Sequence, residues 1–228
     1  MSQQTTSAGD QATITTCDQA TRVTRSLLGY GVIAGPVYVL VSLTQALTRP
    51  GFDLARHQWS LLSNGHLGWI QVANFVATGL MTVAFAVGLR RALGPGRAAP
   101  LIGVYGVCLV GAGLFRADPA LGFPPGTPDH GTDVSWHGIL HLVCGSVGFT
   151  CLIVACFLIA RRYAAEYRPG RAVFSRVTGA LFLASFVAVA TGAGAVWANL
   201  AFVATVVLTW VWISALAVDR YRLTGRGN

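Results

Sequence analysis

The feature that most constrains this chain is a series of long apolar runs separated by short polar segments. The hydrocarbon core of a bilayer is about 30 Å thick, so a helix needs about 20 mostly apolar residues to cross it. Six runs close to that length occur, at 27–48, 67–89, 98–115, 136–160, 177–196 and 200–218. Only 11% of the residues are charged, against about a quarter in soluble domains. The sequence therefore predicts an all-α, polytopic membrane bundle of six transmembrane helices.

The segments that flank the apolar runs are polar. Residues 1–26 are rich in Ser, Thr and Gln and hold no apolar stretch, which predicts a flexible tail and not a signal peptide. The first apolar run is too long for a cleaved signal, so we expect it to remain as an anchor. The predicted transmembrane domain is 27–218, and 219–228 is a predicted short basic tail.

The arginines are distributed unevenly between the two sides of the predicted bundle. All sixteen basic residues are Arg, and thirteen of them fall in the tails and connections of one side. The other side has only Arg49, Arg56 and Arg116. By the positive-inside rule, both termini are expected in the cytoplasm. The rule also accounts for the net charge of +8 without a nucleic-acid partner.

Two connections on the opposite, outer side are long, at 49–66 and 116–135. Connections of this length in a compact domain are usually functional or disordered. The first has a helix signal, with Asp53 as a predicted N-cap and Asn64-Gly65 as a stop. It predicts a short interfacial helix whose polar side carries His57 and Ser60.

The outer side also collects the titratable side chains. It holds all five histidines: His57, His66, His130, His137 and His141. In SWHGILH, His137 and His141 are four residues apart on one helix face, so both imidazoles can reach one metal ion. Alternatively, the pair caps the helix and bonds to loop carbonyls. For Asp118 the sequence allows two interpretations. It supplies an anionic metal ligand or a proton, or it opens an ordinary turn together with the proline that follows it. Asp133 is expected as an N-cap partner of the fourth span.

A polar strip extends below His66 in the second span, where Gln71, Asn74 and Thr78 follow at helical spacing. It either lines the same cavity as the histidines or makes interhelical hydrogen bonds. The predicted site residues fall into three groups: Asp118, His57 and Ser60 as catalytic residues; His137, His141 and Asp118 as metal ligands; His66, Gln71, Asn74 and Trp136 as substrate contacts.

Several distinctive motifs carry a family resemblance. They are RPGFD at 49–53, SLLSNGHLGWIQVANF at 60–75, GL at 79–80, FRADPALGFPPGTP at 115–128 and WHGILH at 136–141, followed by Arg161 and Arg162. The run 49–162 resembles the domain-of-unknown-function 998 family of bacterial membrane proteins. The resemblance implies a six-helix fold in a bacterial plasma (inner) membrane, with Asp118, His137 and His141 at marked positions, and it implies no activity. The combination of Ser, Asp and HxxxH is also similar to that of zinc-dependent intramembrane hydrolases of the alkaline ceramidase type.

The leading functional hypothesis is an enzyme that modifies a lipid or isoprenoid-like amphiphile at an outer-face His/Asp site. In one version it is a metal-dependent hydrolase, with zinc as the expected cofactor, whose bound water has a pKa near 7. A second hypothesis is a membrane-bound terpene cyclase that uses Asp118 as proton donor. A third is a carrier of a single haem. The remaining alternative is a non-enzymatic binding or assembly module or a small transporter. Expected partners are membrane lipid and a hydrophobic small-molecule substrate.

Overall fold

The protein is a bundle of six α-helices in the part of the chain that the structure describes. The computed structural model describes residues 8–129, 133–192 and 195–225, with side chains from residue 19 onward. The helices are α1 (Ala8–Thr48), α2 (Gly68–Leu93), α3 (Ala98–Leu114), α4 (Trp136–Ala165), α5 (Pro169–Thr191) and α6 (Val196–Thr224). A short 3-10 helix, Trp59–Ser63, lies between α1 and α2. The predicted all-α fold is confirmed.

The helices form a closed ring in chain order. Each helix packs against the one before it, and α6 closes the ring by packing against α1. The connections 49–67 and 115–135 therefore lie at one end of the bundle, which we call the histidine end. The opposite end has the α2–α3 and α4–α5 connections and the last turn of α6, and we call it the arginine end.

Five helices are long and apolar enough to cross a membrane: Gln19–Thr48 within α1, and α2, α4, α5 and α6. The remaining helix, α3, is apolar but has 17 residues, about 26 Å of helix at 1.5 Å per residue. The prediction of six spans is thus confirmed for five, and the sixth run is a shorter helix packed between α2 and α4. By the length and apolar character of its helices, the chain is a multi-pass membrane protein.

The α2–α3 contact shows how closely the helices approach. A Cβ added to Gly79 would lie 2.7 Å from the carbonyl oxygen of Gly106, and one added to Gly106 would lie 2.8 Å from the carbonyl oxygen of Gly79. The two backbones therefore touch where both residues are glycine. Small residues at such contacts give membrane helices the packing that the hydrophobic effect does not supply within lipid.

The first helix begins earlier than the composition predicts. Residues 8–26 are helical and continue into the apolar part of α1, so the predicted tail at 1–26 is corrected over this range. Arg91 of α2 donates from Nε to the Thr24 hydroxyl at 2.9 Å, and Thr24 donates to the carbonyl oxygen of Ala20. This attachment to α2 holds the polar stretch near Thr24 against the bundle, and composition alone does not reveal it.

The last helix also extends beyond its predicted end. α6 continues to Thr224, and Asp219 and Arg220, assigned from sequence to a basic tail at 219–228, are buried. Both side chains form ion pairs with residues of the α4–α5 connection. The helix continues because these charges have partners at the arginine end.

The predicted interfacial helix in the first connection is shorter and more buried than expected. It is a 3-10 helix that begins at Trp59, and Asp53 instead accepts from the amide of Ala55 in a preceding turn. Trp59, Leu61 and Leu62 are buried, and the segment packs on α1 and α2. It therefore covers the histidine end of the ring and does not lie on its surface.

Candidate functional site

A central cavity of about 460 Å³ lies inside the ring, in the half nearest the histidine end. All six helices and both long connections contribute to its lining. Eight aromatic side chains line it: Tyr38, Trp59, Phe75, Tyr105, Phe149, Phe182, Phe186 and Phe202. The described lining residues include Ser60, Asp118 and His141 but no arginine. The central cavity is thus a mostly apolar space with a few polar groups.

Part of the lining of the central cavity is exposed on the side of the bundle, on α4 and α5. Leu142 and Ser146 on α4 and Ala190 on α5 line it, and all three are exposed on the surface of the bundle. Leu142 is 63% exposed. Val134, in the connection before α4, also lines it and is 64% exposed. The exposed lining therefore includes the side of the bundle, where these apolar helices would face lipid.

The histidine end is closed by Arg49 and the segments it holds. Its guanidinium donates to the carbonyl oxygens of Leu62 and Asn64, each at 2.5 Å, and lies 5.0 Å from the centre of the Phe123 ring. Asn64 in turn donates to the carbonyl oxygen of Ala117 at 3.0 Å. Burial lowers the pKa of Arg49. These bonds join the two connections across the end of the ring.

His57 belongs to this closure and not to the central cavity. It is 2% exposed, and its Nδ1 accepts from the amide of Asp53 at 2.9 Å. Its Nε2 lies 2.9 Å from the carbonyl oxygen of Leu121, to which it donates because a carbonyl oxygen can only accept. Both ring nitrogens are therefore engaged by backbone groups.

His141 lines the central cavity, with its ring fixed on one side. Nδ1 lies 2.9 Å from the carbonyl oxygen of Phe115 and 3.1 Å from that of Ala112. Since both partners are acceptors, Nδ1 carries the hydrogen and, in the neutral ring, Nε2 carries the lone pair. No hydrogen bond to Nε2 occurs within the described residues. The predicted bond to loop carbonyls is therefore present for His141, and its second nitrogen remains available.

His137 does not join His141 in the central cavity. Its ring stacks on Trp136, with centroids 3.6 Å apart, and lies 6.2 Å from the Phe115 ring. Trp136 and His137 are exposed and do not line the central cavity. Among the described residues, no group of three or more His, Cys, Asp or Glu side chains is placed to hold a metal ion. The residues predicted as zinc ligands are thus not brought together, and His130 lies outside the described residues.

Asp118 stabilises the start of α4. Its Oδ2 accepts from the amide of Ser135 at 2.8 Å, and its Oδ1 accepts from the Ser135 hydroxyl at 2.5 Å. Ser135 is the N-cap and accepts from the amide of Gly138. The prediction that Asp133 helps to cap this helix is wrong, because Asp133 is exposed and Asp118 supplies the carboxylate. A negative charge at this position also complements the helix dipole.

Gly138 leaves space for the Asp118 carboxylate. A Cβ added to Gly138 would overlap Oδ2 of Asp118. Glycine is therefore required here by the close approach of the acid to the first turn of α4.

The polar strip of α2 makes interhelical hydrogen bonds, which was one of the two predicted alternatives. Gln71 and Asn74 are buried and bond to the Ser42 hydroxyl, and Gln45 donates to Oε1 of Gln71 at 2.8 Å. Neither Gln71 nor Asn74 lines the central cavity, and His66 is exposed and does not line it. These three residues, predicted as substrate contacts, therefore lie outside the central cavity.

Ser60 does line the central cavity, as predicted for a site residue. It is half-buried in the 3-10 helix, and its carbonyl oxygen accepts from the Ser63 hydroxyl at 2.8 Å. Within the described residues, its own hydroxyl makes no hydrogen bond. Of the nine predicted site residues, the structure thus brings Ser60, Asp118 and His141 to one cavity.

The aromatic lining was not predicted from the sequence. Phe149 lies 5.2 Å from Phe182, 5.4 Å from Phe186 and 5.6 Å from Phe202, centroid to centroid. The four-residue spacing of Phe182 and Phe186 places both on one face of α5, and this was the available signal. In a chain so rich in apolar residues, that spacing does not distinguish an inward face from a lipid-facing one.

A second missed feature is a buried ion-pair network at the arginine end. Arg168 donates to both carboxylate oxygens of Asp219, at 2.8 and 2.7 Å. The Tyr163 hydroxyl also donates to Asp219, and Arg171 forms a further ion pair with it. The side chain of Asp219 is only 3% exposed. The sequence argument used these arginines only as indicators of orientation.

A neighbouring acid extends this network. Glu166 accepts two hydrogen bonds from Arg220, at 2.9 and 2.8 Å, and one from Arg162 at 2.9 Å. Burial raises the pKa of Glu166, but the hydrogen bonds and charge of Arg220 outweigh burial, so the pKa lies below its ordinary value. We call these six charged residues the arginine cluster: Arg162, Glu166, Arg168, Arg171, Asp219 and Arg220.

The comparisons with known proteins identify a family and nothing further. No curated protein and no solved structure matches the chain. The model of a family described as protein of unknown function (DUF998) matches residues 32–219. That range covers most of the chain, from the apolar part of α1 to Asp219 in α6. The chain therefore belongs to the DUF998 family.

Proposed function

We propose that the protein is a membrane enzyme that acts on a neutral, long-chain or isoprenoid-like amphiphile held in the central cavity. The observation that supports this most is the position of His141. Its Nδ1 is held by two backbone carbonyls, and the residue lines an aromatic cavity whose lining is partly exposed on the side of the bundle. A titratable side chain within a membrane bundle is costly and usually functional.

The chemistry of the lining indicates the class of substrate. A phosphate or carboxylate head group would need a cation or several donors, because burying an unpaired charge is costly. No arginine lines the central cavity among the described residues, and this chain has no lysine. The aromatic walls favour a hydrocarbon or polyprenyl chain. A neutral head group, such as an alcohol, ester, amide or quinone, fits the remaining polar groups.

His141 would act as the acid–base residue. With Nδ1–H donated to backbone oxygens, Nε2 has a lone pair that can accept a proton from a hydroxyl group or a water molecule. Ser60 lines the same space and supplies a hydroxyl to bind the head group. Asp118 would act through α4, because it bonds to the N-cap Ser135, six residues before His141.

The second candidate function is a membrane-bound terpene cyclase, and the aromatic lining favours it. Ring faces stabilise carbocations, and eight aromatic side chains surround the central cavity. In that reaction Asp118 would be the proton donor. Its two oxygens accept from Ser135, however, and this arrangement suits a carboxylate better than a protonated acid.

The test compares variants that separate binding from chemistry. Gly145→Leu fills the central cavity, because Gly145 lines it and an added Cβ would meet only Phe149, at 3.9 Å. Gly29→Leu is its matched control, at a helical glycine with no atom within 4 Å of an added Cβ and away from the cavity. His141→Asn keeps an N–H donor near the position of Nδ1 and removes the basic nitrogen.

The measurement is untargeted mass spectrometry of lipids bound to each purified variant and of membranes that express it. We expect a neutral amphiphile bound to wild type and to Gly29→Leu, and its loss from Gly145→Leu. We expect His141→Asn to bind it and to accumulate it in membranes while a product disappears. Equal binding by Gly145→Leu and Gly29→Leu would contradict the proposed cavity. If His141→Asn binds the amphiphile and no product changes, the protein binds the amphiphile without reacting it, and the proposed enzymatic activity is contradicted.

A further inference from the structure

A second concave surface lies on α1, α5 and α6 and continues to the arginine end. We call it the lateral groove; it has a volume of about 780 Å³. Along α6 its lining runs from Val207 to Asp219, a stretch of thirteen residues whose ends are about 18 Å apart along the helix. That length is comparable to one extended acyl chain.

The walls of the lateral groove are apolar for most of this length. Trp210, Trp212 and Leu216 line it from α6, and Pro36, Val39 and Leu40 line it from α1. Leu40, Val211 and Ala215 line it and are exposed, so the groove opens on the side of the bundle. Trp210 lines the groove, and its ring lies 5.0 Å from that of Tyr38, which lines the central cavity.

One end of the lateral groove is charged. Tyr163, Arg171 and Asp219 line it there. The arginine cluster has four arginines and two acids, which gives a net charge of +2. Asp219 is 3% exposed whereas Arg171 is 43% exposed. The charge of Asp219 is therefore buried behind arginines, and that of Glu166, which is 27% exposed, is paired with Arg162 and Arg220. The net charge at this end of the groove is positive.

We propose that the lateral groove binds one anionic phospholipid. Its acyl chain lies along α6, and its phosphate lies at Arg171, whose guanidinium has five N–H donors and shares only some with Asp219. A phospholipid is the occupant that matches both parts of the surface, because the apolar length requires a chain and the excess positive charge requires an anion. Basic pockets between membrane helices bind anionic lipid head groups in this way. This site is independent of the central cavity, whose lining has no arginine among the residues that the structure describes.

The test uses native mass spectrometry of the full-length protein in detergent, titrated with phosphatidylglycerol or with phosphatidylcholine of the same chains. Inorganic phosphate is a separate arm. We expect one equivalent of phosphatidylglycerol to be retained about fivefold more tightly than phosphatidylcholine. This difference in affinity is about what one Lys or Arg at the membrane surface contributes to the binding of an anionic lipid. Phosphate alone is expected to compete weakly, because it lacks the chain.

Two pairs of variants locate the site. Arg171→Gln should abolish the preference for phosphatidylglycerol, whereas Arg176→Gln, at an exposed arginine of the same helix that does not line the groove, should retain it. Ala215→Phe should reduce retention of both lipids by filling the groove. Ala204→Phe, at an exposed alanine of α6 outside the groove, is its control.

Equal retention of the two lipids by wild type would overturn the proposal, as would equal effects of Ala215→Phe and Ala204→Phe. If Arg171→Gln does not fold, because Asp219 loses a partner, the alanine pair still decides the position of the site. Displacement of the lipid by millimolar phosphate would show an anion site without a chain in the groove, and this outcome would also overturn the proposal.

Discussion

The imidazole of His141 donates from Nδ1 to the carbonyl oxygen of Phe115 at 2.9 Å. Phe115 is the residue directly after α3, so this bond joins the end of one helix to the second turn of the next. It satisfies a backbone carbonyl that the end of α3 leaves unpaired. The same bond fixes which nitrogen of the ring is basic. One contact thus serves the fold and the proposed chemistry, and the two roles can be separated by substitution.

His141→Asn should remain close to wild type in stability, because the asparagine amide can donate to the same carbonyls. His141→Ala should lose about 1–3 kcal/mol of unfolding free energy, since the carbonyl oxygens of Phe115 and Ala112 are left without their donor. Thermal unfolding in detergent measures the difference. Equal melting temperatures for the two variants would show that the bond contributes nothing to stability.

Ser135→Ala should destabilise the protein by about 1 kcal/mol, because it removes the N-cap oxygen of α4 and one partner of Asp118. Asp118→Asn should cost less, since the amide keeps one acceptor oxygen and loses the charge that complements the helix N-terminus. Thermal unfolding of both variants in detergent measures which substitution lowers the melting temperature more. A larger loss for Asp118→Asn than for Ser135→Ala would contradict this prediction.

Asp118→Asn also separates the two proposed reactions. If His141 is the acid–base residue, membranes that express Asp118→Asn should still contain the product seen with wild type. If the protein is a cyclase with Asp118 as proton donor, the product should be absent. Mass spectrometry of the membrane lipids distinguishes these outcomes.

Gly106→Ala should disrupt the contact of α2 with α3. The added Cβ would lie 2.8 Å from the carbonyl oxygen of Gly79, and overpacking of this kind costs about 1–3 kcal/mol. Gly103→Ala is the matched control, because its Cβ would lie 3.5 Å from that of Ala86, an ordinary contact. Similar melting temperatures for Gly106→Ala and Gly103→Ala would show that the close backbone contact between α2 and α3 is not needed for stability.

Glu166 should make stability depend on pH in the acid range. Its folded-state pKa lies below the ordinary value of 4.5, so its contribution is complete above that pH and is lost as the pH falls through the folded-state pKa. Glu166→Gln should therefore unfold at a lower temperature than wild type at neutral pH, and this gap should narrow as the pH falls below 4.5.

Asp129→Asn provides the control for this pH dependence. Its ion pair with Arg56 is exposed, and exposed pairs contribute about 0–1 kcal/mol. Its unfolding temperature should follow that of wild type at every pH. A gap between wild type and Glu166→Gln that is constant from pH 7 to pH 3 would contradict the assignment.

The helices were predictable from hydropathy because each must satisfy its backbone groups internally and present apolar side chains to lipid. Their ends were less predictable. α1 extends through residues 8–26 and α6 extends to Thr224. In both places a polar segment is held by partners distant in sequence, such as Arg91 for Thr24 and Arg168 for Asp219.

The candidate site was predictable in part. Histidines and acids were expected at one end of the bundle, and His141, Asp118 and Ser60 do line one cavity there. The sequence could not show that His57 has both nitrogens bonded to backbone groups. Nor could it show that His137 stacks on Trp136 while His141 lines the cavity, because residues four apart on one helix face can still point their rings differently.

The closed ring has a consequence for biogenesis. Every helix except α1 packs on the helix that precedes it in the chain, so most of the assembly needs only nearest neighbours as the protein is synthesised. The seam between α1 and α6 is different: the Ser214 hydroxyl donates to the carbonyl oxygen of Val32 at 3.2 Å across 182 residues. The face of α1 that packs on α6 must therefore wait for the last helix, and until α6 inserts, the aromatic interior stays open to the surrounding lipid.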